Sequence, residues 1–111
     1  MITGIHAMFY SPKAAELREF FRDKIGLSHI DAGDGWLIFR PLEGELGFHE
    51  NEESKPDISL YCDDIQATVT DLKSRGVEFE GDIDDHGYGL VTFFKAPGDL
   101  SIQLYQALYN K

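Results

Sequence analysis

The sequence predicts an α+β fold built from two tandem βαβββ modules. Three observations predict it. The stretch Ile2 to Leu27, ITGIHAMFYSPKAAELREFFRDKIGL, reads as a strand, a helix and a glycine stop. The same order recurs at Asp57 to Phe79, DISLYCDDIQATVTDLKSRGVEF. Extended segments separated by turn residues follow each stretch, so each half counts strand, helix and three strands.

In the first half, Ile5, Ala7 and Phe9 alternate with His6, Met8 and Tyr10, which is strand periodicity. The apolar set belongs against a helix, and the second set faces the other way. Ser11 is expected to cap the helix with Pro12 at its first position, where a missing N–H costs nothing. Ala14, Leu17, Phe20, Phe21 and Ile25 form its apolar stripe, and Gly26 its left-handed stop. Three strands should follow. Ser28–Ala32 and Trp36–Arg40 are joined by the turn Gly33-Asp34-Gly35, and Glu45–Glu50 comes after a second turn at Pro41–Gly44.

The second half repeats the order after a polar linker, residues 51–56. Ile58, Leu60 and Cys62 alternate with Asp57, Ser59 and Tyr61. Asp63 is expected to cap the second helix, with Gln66 as its capping-box partner. Ile65, Val69 and Leu72 form the stripe, and Gly76 ends it. Val77–Glu80 reads as a short strand, residues 81–87 as an acidic loop with Asp82, Asp84, Asp85 and His86, and Tyr88–Lys95 and Leu100–Tyr105 as the last strands. Modules of about fifty residues are too small to stand alone. Residues 1–111 are therefore expected to form a single domain, with module one at about 1–50 and module two at about 57–111. The strand count excludes a ferredoxin-like order, which has no place for the strand at Ile58–Cys62.

Composition narrows the function. A formal net charge of -10 sets aside nucleic acid and anionic membranes as partners. Cys62 is the single cysteine, which excludes an intrachain disulfide and a cysteine-based zinc site. No leader-like basic and apolar run and no bilayer-length apolar stretch is read, so a cytoplasmic protein is expected. Phosphate-binding glycine motifs, a nucleophile elbow and paired cysteines are all missing from the sequence.

Taken together, AAELREFFRDKIGL, DDIQATVTDLKSRGVEF and the closing KAPGDLSIQLYQ resemble the vicinal oxygen chelate superfamily, which includes glyoxalase I, extradiol dioxygenases and bleomycin resistance proteins. The first segment resembles the family's FYRDVLGL, the second its VDDIDAT segment, and the third its DPDGN ending. The resemblance implies that each module curls into half a barrel with its helix outside, giving a cup-shaped half-barrel pair. It implies a divalent metal (Zn, Ni, Fe or Mn) in some members, held by the first and last strands of each module. Carried over residue by residue, the ligand positions fall on His6, on Glu45, Gly47 or His49, on Asp57 and on Gln103. Asp57 stands where histidine is usual, and Gln103 where glutamate is usual. The second change keeps a carbonyl ligand but removes a charge and a base, which counts against an extradiol dioxygenase.

Two function classes follow. One is a metal-dependent lyase or isomerase with His6, His49 and Gln103 as ligands and Glu45 or Asp57 as base; dioxygenase chemistry is its less favoured variant. The other is a metal-free protein that sequesters a drug or small molecule, with Tyr10, Trp36, Tyr61, Tyr88 and Tyr105 lining a pocket and acidic groups attracting a cation. Each residue also has a plainer role. The histidines could be hydrogen-bonded in a half-polar interior, the tyrosines could fill a barrel, and Asp57 could be a solvated strand start. Asp84, Asp85 and His86 could bind a cation but read better as a solvated loop. A homodimer is expected under both classes.

Overall fold

The computed structural model describes residues 1, 7, 9, 11–35, 37–39, 43–44, 50, 52, 54 and 58–109. The chain divides into two compact units, residues 1–56 and 57–111. No helix among the described residues is long and apolar enough to cross a membrane.

In unit one, helix α1 spans Ala14–Phe20 and continues as a π-helical turn, Phe21–Ile25. Ser11 Oγ accepts from the Lys13 N–H at 3.0 Å, yet the regular helix begins two residues later than Pro12, and Lys13 at its boundary caps nothing with its side chain. The π-helical turn is a departure from the expected continuous helix, since one apolar stripe serves both geometries. Leu17, Phe20 and Phe21 are buried as expected. Gly26 (φ 79°) ends the helix, and both Gly26 and Leu27 N–H groups donate to the Phe21 carbonyl at 3.0 Å.

Strands β1 (His29–Asp31) and β2 (Leu37–Phe39) form an antiparallel pair with Ile30 opposite Ile38. Asp31 Oδ1 accepts from the Gly33 N–H at 2.8 Å and tightens the turn between them. Phe21 lies 6.3 Å from Phe9 and 6.1 Å from Phe39, so Phe9 faces the helix as expected and Phe39 joins it there. Ala7, expected beside Phe9, is instead exposed. Most of the expected first strand, and all of the expected strand at 45–50 except Glu50, lie outside the described residues.

Unit two is a four-stranded sheet in the order β3-β6-β5-β4, with helix α2 against one face. Its elements are β3 (Ser59–Tyr61), α2 (Ile65–Ser74), β4 (Asp84–Asp85), β5 (Gly89–Ala96) and β6 (Leu100–Ala107). Strands β3 and β6 are parallel, and the other pairs are antiparallel. A parallel pair needs a crossover, and α2 with the three segments after it supplies the connection.

The cap of α2 corrects the expected one. Asp64, not Asp63, accepts from the Ala67 N–H at 3.1 Å, and Gln106 of β6, not Gln66, accepts from the Ile65 N–H at 2.8 Å. Asp64 holds the extended backbone a cap requires (φ -137°, ψ 99°) and stands three residues before Ala67. Asp64→Ala should therefore cost about 0.5–2 kcal/mol in urea denaturation, whereas Gln66→Ala should be nearly silent.

Residues 78–80 bond to β5 through Phe79 opposite Phe94, the Glu80 N–H to the Phe93 carbonyl and the Lys95 N–H to the Glu78 carbonyl. The expected strand Val77–Glu80 is thus one bridge on the same edge that β4 continues. The expected acidic loop contains β4, so Asp84 and Asp85 are ladder residues rather than a free loop. Strand β5 starts one residue later than expected, and β6 runs two residues further. The core is Ile65, Leu72, Val77, Phe94, Ile102 and Leu104 with their neighbours, and Phe94 and Ile65 are fully enclosed at 0% exposure.

Candidate functional site

Register decides which side chains share a face of the unit-two sheet. Gln106 reaches the N-terminus of α2, so the even residues of β6 face the helix. Strand pairing then puts Leu60, Leu90, Thr92, Phe94, Ile102 and Leu104 on that side. The odd residues take the other side. Ser59 is opposite Gln103, Tyr61 opposite Tyr105, Phe93 opposite Gln103 and Asp84 opposite Val91.

The face away from α2 therefore gathers Tyr61, Tyr105 and Phe93 around the amide of Gln103, with Ser59 on one flank and Asp84 at the far edge. Gln103 is half-buried and makes no side-chain hydrogen bond among the described residues. An amide has two donors and an acceptor with two lone pairs, and a half-buried one needs partners. Tyr105 is buried, while Phe93 is 39% exposed on the same face.

At the end of β6 this face continues as an aromatic ladder. Tyr105 lies 6.1 Å from Tyr88 and 6.5 Å from Tyr109, and His86 lies 6.0 Å from Tyr88. Tyr88 is 59% exposed between two glycines and stands at the solvent end. The Tyr105 hydroxyl reaches the Tyr88 carbonyl at 3.5 Å, a long and weak bond. Gly89 lies directly beneath the Tyr105 ring: a β-carbon there would overlap the ring and come within 3.0 Å of the Gln106 carbonyl.

Among the pocket residues expected from sequence, the structure brings Tyr61, Tyr88 and Tyr105 to this face and ladder, together with the expected ligand Gln103. His6, Tyr10, Trp36, Glu45, His49 and Asp57 lie outside the described residues. Phe93, Ser59 and Tyr109 are not among the expected site residues, and Asp84, expected in a loop that could bind a cation, lies on this face as part of β4. The alternation Val91-Phe93-Lys95 and Tyr105-Ala107-Tyr109 carries their signal, but only the pairing register assigns it to a face.

The model of the Glyoxalase/Bleomycin resistance protein/Dioxygenase superfamily matches residues 5–104. The chain belongs to this superfamily. Solved structures agree at the level of fold. The superfamily chain is similar to TnmS3, an antibiotic binding protein from a Streptomyces species, with TM-score 0.66 and 18% identity over 96% of this chain and 99% of that one. It is similar to a superfamily member from Sphaerobacter thermophilus, with TM-score 0.63 and 22% identity over 95% and 98% of the two chains. It is also similar to an integron cassette protein from the mobile metagenome of V. cholerae, with TM-score 0.60 and 12% identity over 96% and 98%. A search of curated proteins finds no match.

Superfamily members often use a divalent metal. Among the described residues, no three of His, Cys, Asp or Glu come together to hold an ion. Gln103 by itself cannot form a metal centre; its carbonyl oxygen would be one donor of such a set.

Proposed function

We propose that the chain is a small-molecule binding protein of the superfamily, and that the unit-two sheet face opposite α2 receives the ligand. One observation carries this reading: the half-buried Gln103 amide, without a partner among the described residues, sits among Tyr61, Tyr105 and Phe93. An apolar and aromatic wall with one convergent polar group is the usual make-up of a ligand site. Asp84 on the same face and the net charge of -10 favour a cationic ligand. The antibiotic-binding structural neighbour supports the same class. The chain is proposed to act as a cytoplasmic homodimer.

Thermal-shift measurements with a panel of cationic aromatic compounds, proflavine first, test the reading. A rise in melting temperature is expected that persists in EDTA and disappears in Tyr61→Ala. At a hundredfold excess over Kd, the stabilisation amounts to about 2.7 kcal/mol. No shift from any panel member, or the same shift in Tyr61→Ala, contradicts the reading.

The position of Gln103 on this face favours one second reading, a metal-dependent lyase or isomerase. A divalent ion would then be held by His6, His49, Asp57 and Gln103, with Glu45 or Asp57 as base. Such an ion would supply Lewis-acid stabilisation of charge on substrate oxygens. Elemental analysis of protein purified without a metal resin separates the two. A stoichiometric ion that Gln103→Ala loses supports the enzyme, and a folded protein that stays metal-free supports simple binding.

A further inference from the structure

Unit one holds an open cavity of about 250 Å³ that the proposed ligand face does not use. Ala15, Arg18, Glu19 and Arg22 line it from the helix, and Asp31 and Leu37 from the hairpin. The helix residues follow the spacing i, i+3, i+4, i+7, which is one continuous face. The buried Leu17, Phe20 and Phe21 occupy a different face. Asp31 and Leu37 are register partners across β1 and β2.

The charges lining this cavity are of both signs and differ in how far they are engaged. Arg22 is taken up by Asp23, with Nε to Oδ1 at 2.6 Å and Nη2 to Oδ2 at 2.8 Å. This forked bond holds the exposed Asp23 carboxyl below its ordinary value. Arg18 is half-buried and forms no ion pair among the described residues. Glu19 likewise forms none, and Asp31 spends one oxygen on the Gly33 N–H. A bare anion entering here would meet Glu19 and Asp31, on a chain whose net charge already repels it. A bare cation would meet Arg18, which no carboxylate among the described residues engages. A ligand carrying both charges meets a complement for each.

We propose that this cavity binds a small zwitterion, an amino acid or amino carboxylate. Its carboxylate pairs with Arg18, its ammonium with Glu19 and Asp31, and its carbon chain covers Ala15 and Leu37. The site lies in unit one alone, so its test is independent of the ligand face in unit two.

Amide NMR titration of the whole chain with the series from glycine to aminohexanoate tests it, with hexanoate and hexylammonium as singly charged controls. One chain length should bind at least about tenfold tighter than either control, a difference of about 1.4 kcal/mol, with shifts at residues 15–22 and 31–37. Arg18→Gln and Glu19→Gln should each remove that advantage at unchanged melting temperature. If Arg18→Gln destabilises the fold, Arg18→Lys should retain part of the binding. Equal binding of hexanoate or hexylammonium, or no shifts in these segments at about 10 mM ligand, overturns the proposal.

Discussion

Phe94→Ala should cost about 3–5 kcal/mol of stability, while Phe93→Ala, one residue away, should cost under about 1 kcal/mol. Both are phenylalanines in the middle of β5, so strand propensity cancels between them. They differ in the face they occupy. Phe94 is on the α2 side, at 0% exposure, with its ring 5.8 Å from Phe79 in an edge-on arrangement. Truncation there loses the transfer free energy and leaves a cavity that the sheet and helix cannot fully close. Phe93 is on the opposite face and already meets solvent. Urea denaturation of both variants measures the difference. Equal losses would mean that the two faces of the sheet are misassigned, and the ligand face with them.

Gly89→Ala should destabilise by about 1–3 kcal/mol, against the usual gain from a glycine-to-alanine change. That gain comes from a less flexible unfolded chain and is typically about 0.4–1 kcal/mol. Here the backbone would accept alanine, since Gly89 is not among the positive-φ positions. The cost is steric. The new methyl would overlap the Tyr105 ring and sit 2.9 Å from its Cζ, with the Gln106 carbonyl 3.0 Å away on the backbone. Tyr105 has little room to yield, because Tyr88 and Tyr109 lie against it. Combining Gly89→Ala with Tyr105→Leu should recover most of the loss, giving a coupling energy of about 1 kcal/mol or more in a double-mutant cycle. Additive losses would show that the ring does not lie over this glycine.

These two positions mark how far the sequence could be read. The helix stripes, the stops at Gly26 and Gly76 and the turn at Gly33-Asp34-Gly35 are local chemistry, and the structure contains them. The local pattern places the cap of α2 one residue early, at Asp63 rather than Asp64, because the two offer the same side chain. What also holds the helix start is Gln106, forty-one positions away, which no local pattern reveals. Asp84 and Asp85 looked like loop residues because they are acidic. They enter the sheet because the edge of β5 offers them backbone partners. Gln103 was legible as facing away from the helix, since Ile102 and Leu104 flank it. Its neighbours Ser59 and Phe93 were not, because a strand's parity gives two faces but not which strand lies beside it.

Amide NMR mapping of the ligand found in the thermal-shift panel tests the central claim most directly. The expected result is a saturable set of shifts clustered at Ser59, Tyr61, Phe93, Gln103 and Tyr105, unchanged by EDTA and abolished in Tyr61→Ala. Shifts confined to the α2 face, or spread without a cluster, would contradict the assignment of this face as the binding site.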